Sequence, residues 1–97
     1  MRTLYIGGAA DNDQREMRGG AITAAVTYRP LTDFPSDPML VHSYFSRDFV
    51  VLPKDATREE VLRVFIWDQW RGEDVVPTIE TRLWVRVVRQ VSSRNLR

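Results

Sequence analysis

Arg82, Trp84 and Arg86 occupy alternate positions late in the chain. An indole between two guanidinium groups is equipped for recognition rather than for making or breaking bonds. Planar guanidinium groups grip carboxylates and phosphates through paired N–H donors, and an indole face accepts cations, rings or nucleobases. Trp67 keeps similar company: in a helix it would lie one turn from both Arg63 and Arg71, so either could stack on it. Arg82, Trp84, Arg86, Trp67, Arg63 and Arg71 are therefore the candidate binding residues. A protein partner or a second copy fits this chemistry, because Trp and Arg recur at interface hot spots. Nucleic acid is the alternative, read through the Arg82/Trp84/Arg86 strand face and the basic C-terminus by stacking and phosphate contacts. A small phosphorylated ligand is a third occupant. The bland reading has Trp84 packed under a proline-rich loop or the N-terminal segment, with both arginines extended to water.

Catalytic constellations are hard to assemble from the remaining residues. His42 is the single histidine, and the neighbouring Ser43 would point to the opposite face of a strand, so a nucleophilic triad has no support. A structural or surface role suits His42 better. Asp11-Asn12-Asp13 offers oxygen ligands without the spacing of a calcium loop. Gly7-Gly8 follows a strand, yet no dinucleotide or P-loop pattern continues from it, so it reads as a structural turn. Glu59 and Glu60 fit the start of a helix, where negative charge is favoured. The expectation is a non-enzymatic protein with no catalytic residue, metal or cofactor.

The 97 residues are enough for a single domain over residues 1–97 with one modest core. An apolar share of 43% with ten aromatic residues supports folding rather than disorder. The net charge of +1 is too small to imply a nucleic-acid partner by itself, but Arg82, Arg86, Arg89, Arg94 and Arg97 make the C-terminal stretch basic. Without cysteine there is neither a disulfide frame nor a thiolate site, and a cytoplasmic setting is the default. No run approaches the roughly 20 apolar residues of a membrane span, so no membrane partner is expected.

The elements that must position these groups follow from periodicity. Residues 3–6 form a short apolar strand before Gly7-Gly8, and residues 9–20 read as a polar loop. Residues 21–28 alternate as a second strand. Residues 29–38 contain Pro30, Pro35 and Pro38 and read as a connection. Residues 39–52 form either one bulged strand or a tight hairpin. Thr57-Arg58-Glu59-Glu60 matches a capping box, which predicts a helix over about residues 58–71 with Val61, Leu62, Phe65 and Ile66 on its core face and Gly72 at its end. Residues 78–91 alternate as a final strand, with Ile79, Leu83, Val85 and Val87 inward, and residues 92–97 read as a frayed tail. The predicted fold is α+β: a small, mainly antiparallel or mixed sheet of three to five strands with one principal helix on one face. A strand, helix, strand order over residues 49–91 would allow a right-handed crossover. One helix cannot cover both faces, so the other must be polar, be covered by loops or meet another chain.

Leu4-Tyr5-Ile6-Gly7-Gly8 followed by Asp11 resembles the opening of small proteins of tailed bacteriophages and prophages that begin Tyr-Ile-Gly-Gly. Those often continue with proline and then Asp-Gly, whereas Ala9 and Ala10 precede Asp11 here and Asn12 stands in place of the second glycine. The match covers about a tenth of the chain. The resemblance implies a phage accessory protein in the cytoplasm of an infected bacterium, engaging and blocking a host or defence protein. It carries no catalytic residues over to this chain.

Overall fold

A computed structural model describes residues 2–16, 23–28, 40–71 and 74–91. In chain order they form β1 (Arg2–Ile6), a 3-10 turn (Gly8–Ala10), β2 (Gln14–Glu16), β3 (Thr23–Tyr28), β4 (Leu40–Pro53), β5 (Glu60–Trp67), α1 (Val75–Leu83) and β6 (Val85–Gln90). All the strands join one mixed sheet in the order β2-β1-β5-β4-β3, with β6 also on β4. The pairing is antiparallel except between β1 and β5. The α+β class with a mixed sheet and one packed helix is thus the observed one.

Residues 40–53 resolve as a single long strand rather than a hairpin. One edge of β4 takes β5 along residues 44–51, while the other is shared by β3 at residues 40–45 and β6 at residues 49–53. On β6, Val88 is the extra residue of a bulge, because Val50 faces Arg89 and Val51 faces Val87. Since β5 and β6 both run antiparallel to β4, α1 carries the chain over β4 between two parallel strands.

Two expectations are overturned here. The segment predicted as a helix over residues 58–71 is β5 with its flanks, and the predicted strand over residues 78–91 is α1 followed by β6. Val61, Leu62, Phe65 and Ile66 fit a helical arc, but the run Val64-Phe65-Ile66 is also what a strand buried on both faces looks like. Leu62, Val64 and Ile66 pack under α1, while Phe65 and Arg63 are buried on the opposite face. A local capping signal at Thr57 is outweighed by this two-sided burial; each large apolar side chain removed from water contributes roughly 1.5–3 kcal/mol. Conversely, Pro77 does not separate a link from a strand. It stands in the first turn of α1, where no backbone N–H is needed. Val75, Ile79 and Leu83 then recur every fourth residue and press onto Leu4, Phe49, Val51 and Val85.

The face that α1 leaves open is covered by the chain itself at one end. Tyr5 stacks on Phe65 at 4.9 Å between ring centroids and meets Tyr44 edge-on at 5.2 Å. Over this cluster sits the 3-10 turn, whose Ala10 is buried. Further along the same face Arg63 and Asp48 form a paired, largely buried ion contact. The predicted proline loop, the Gly72 helix stop and the frayed residues 92–97 lie outside the described residues.

Candidate functional site

The turn after β1 is held from several sides. Gly7 and Gly8 take positive φ values of 81° and 65°, a region that other residues enter only with strain. Space forbids a side chain as well: a Cβ on Gly8 would stand 2.7 Å from the Tyr44 hydroxyl, 2.8 Å from His42 Nδ1 and 3.0 Å from Trp67 Cγ. The Tyr44 hydroxyl donates to the Gly7 carbonyl at 2.7 Å and accepts the Ala10 N–H at 2.9 Å. His42 Nδ1 accepts the Ala9 N–H at 2.9 Å while its ring stacks on Trp67 at 4.5 Å. Asp11 turns back to accept the Gly7 N–H at 2.7 Å. The Tyr-Ile-Gly-Gly stretch with its Asp11 is therefore a folding device, and His42 has the structural task its sequence setting suggested.

Burial pushes the Tyr44 hydroxyl above its ordinary pKa of 10.0, against the opposing pull of the Ala10 N–H. Partial burial also pushes the Asp11 carboxyl up, but the Arg82 hydrogen bond, the Gly7 N–H and the Arg82 charge together hold it below its usual 3.8.

The six candidate binding residues do not share one face. Arg82 lies in the last turn of α1 and reaches Asp11 at 2.8 Å. Arg63 is committed to Asp48 through Nε at 2.8 Å and a second nitrogen at 2.9 Å, which raises its pKa despite burial. Trp67 packs over Gly8 and His42. Arg71 is exposed beyond the end of β5. Arg86 is exposed on β6, opposite Leu52. The alternating stripe of Arg82, Trp84 and Arg86 does not exist as a strand face, because the helix ends between its first two members.

Trp84 is what ends it. Leu83 is buried and Val85 is fully buried, so the chain must reverse direction within one residue, and Trp84 adopts φ 56° and ψ 50° to do so. A bulky side chain in the left-handed region is strained by about 1–2 kcal/mol. Its carbonyl accepts the Lys54 N–H at 3.2 Å, which ties the corner to the end of β4. The indole itself is 63% exposed, and the Lys54 ammonium stands 4.4 Å from its centroid. Lys54, Pro77, Glu80, Thr81 and Trp84 line a shallow open hollow along the outer side of α1. Glu80 is partly engaged there, since its carboxylate accepts the Val87 N–H at 3.0 Å. Lys54 was missed by sequence reasoning. It is the one lysine among thirteen arginines, but its partner lies thirty positions away across a turn.

Among the described residues, no three His, Cys, Asp or Glu side chains gather as a metal site, and no helix is long and apolar enough to cross a membrane. No protein-family model, curated protein or solved structure matches the chain.

Proposed function

We propose that this is a small non-enzymatic binding protein whose contact surface centres on Trp84, with Lys54 and the outer side of α1 around it. The observation that carries the reading is an indole 63% exposed at a backbone conformation that disfavours it. An aromatic that is both exposed and held at a strained backbone position supports a role in contact with another molecule. Burying most of that indole on a partner would contribute about 3 kcal/mol, and tryptophan is among the residues over-represented at interface hot spots. The resemblance at residues 4–11 supplies the setting: a phage-encoded inhibitor acting in the host bacterial cytoplasm on a host or defence protein. Nucleic acid is less well served, because Arg82 and Arg63 are already paired with Asp11 and Asp48.

The test is capture from nuclease-treated bacterial lysate by the wild-type chain and by Trp84→Ala. A protein retained by the first at moderate salt and released by the second supports the reading. Equal capture by both sinks it, and capture that vanishes with nuclease or collapses steeply with salt points to nucleic acid instead.

A further inference from the structure

Three strands border the described sheet, and they differ in charge. β2 reads Gln14-Arg15-Glu16, and β6 carries Arg86 and Arg89. Charged side chains on an edge discourage a second chain from adding to it. β3, Thr23-Ala24-Ala25-Val26-Thr27-Tyr28, carries no Lys, Arg, Asp or Glu, and neither do residues 40–46 of the strand beside it, in a chain where 28% of residues are charged. On the α1 side of this ribbon no described residue is packed: Thr23, Ala25 and Thr27 are exposed, and Val41 and Phe45 are 55% and 38% exposed. Alternate residues of β3 must direct N–H and C=O groups away from β4, toward an edge that no described strand occupies.

We infer that β3 is a self-association edge, at which a second copy of the chain adds its own β3 antiparallel about a two-fold axis. The segment complements itself in both of the longest registers that keep the two faces aligned. With Ala25 at the axis, Thr23 meets Thr27 and Ala24 meets Val26. With Val26 at the axis, Ala25 meets Thr27 and Ala24 meets Tyr28. Neither register opposes two like charges, so the penalty that protects β2 and β6 is absent here. The join extends the sheet across both copies. Because one short strand pair buries well under the roughly 1,200 Å² of a stable interface, the association is weak and concentration-dependent, with a Kd in the micromolar range or above. It is independent of the Trp84 surface, which lies at the other end of β4.

Sedimentation equilibrium over about 1 to 500 µM, bracketing such a Kd, is the test. The wild-type and Trp84→Ala chains should both rise toward twice the monomer mass. Ala25→Lys with Thr27→Lys places lysines opposite one another in either register, and should hold the monomer mass throughout. Hydrogen exchange of the β3 amides in the wild type, at both ends of the concentration range, reads the same edge without mutation and should slow as concentration rises. A wild-type chain that stays monomeric, a folded lysine variant that still dimerises, or β3 exchange indifferent to concentration each overturns the proposal.

Discussion

The Arg82 guanidinium and the Asp11 carboxylate meet at 2.8 Å, joining α1 to the N-terminal turn across 71 positions of sequence. This contact takes a residue suited to recognition and uses it to fasten the fold. It also gives the turn a dependence on pH. Asp11 binds its proton less readily in the folded chain than at its ordinary 3.8. The pair therefore adds stability above about pH 4 and loses it as pH falls through the lower folded value. With the two side chains 26% and 44% exposed, screening limits the effect to a few tenths of a kcal/mol. Asp11→Asn keeps an acceptor for the Gly7 N–H, so its urea midpoint should fall slightly below the wild type's at pH 7 and by less at pH 3. A difference of the same size at both pH values would show that charge is not the cause.

Arg63 and Asp48 form the tighter pair, with side chains only 8% and 16% exposed. Removing one partner leaves the other charge poorly solvated, and such losses run to about 3 kcal/mol. Arg63→Ala should lower unfolding free energy by about that amount, and Arg63→Lys should recover less than half, because an ammonium cannot reproduce the two parallel bonds. Urea denaturation of the two variants decides this. Wild-type stability in Arg63→Ala would release Arg63 from its structural role and return it to the candidate binding residues.

The Gly8 position tests whether the Tyr-Ile-Gly-Gly stretch is a folding device. Gly8→Ala must strain a φ of 65° and push against the Tyr44 hydroxyl and His42 Nδ1. A loss above about 2 kcal/mol is expected. Tyr44→Phe should lose about 2 kcal/mol by orphaning the Ala10 N–H. Burial holds the Tyr44 proton on above its ordinary 10.0, so its contribution is complete below pH 10 and fades as pH rises through the folded value. Tyr44→Phe should therefore be the less alkali-sensitive of the two proteins in thermal melts at pH 9 and 11.

What the sequence disclosed divides along the range of its interactions. β1 and β3 were legible because alternation and bounding Gly or Pro residues are local, whereas residues 39–52 read as extended chain without deciding between one bulged strand and a hairpin. Residues 57–91 were misread because their local signals point one way and their burial another. Thr57 to Glu60 mimics a cap, and Ile79 with Leu83 suits either period. Only the position of β5 between β1 and β4 makes both its faces interior. The candidate site followed the same rule. Trp84 stood out as an aromatic without an evident burial place, and its ring is 63% exposed, but the stripe around it depended on a strand that is not there. Nothing in the residue type announces that a tryptophan will take a left-handed turn, and nothing near Lys54 announces the ring it reaches.

Trp84 itself separates fold from function. If its side chain served the fold, shortening it would destabilise the protein, as losing a buried aromatic costs about 3–5 kcal/mol. In the structure it does the opposite work: its ring is mostly in water, its contact with Lys54 is an exposed cation–π pair contributing roughly 0.5–1 kcal/mol, and its backbone is strained. Glycine suits a left-handed helix end without that strain. Trp84→Gly should thus leave unfolding free energy within about 1 kcal/mol of the wild type, or raise it, while abolishing capture of the protein partner. Trp84→Asn, which also tolerates this conformation, should behave alike. Paired urea melts and capture experiments on the two variants give the answer. A loss of more than about 2 kcal/mol in both would make the indole part of the core, and the proposed binding surface would lose its centre.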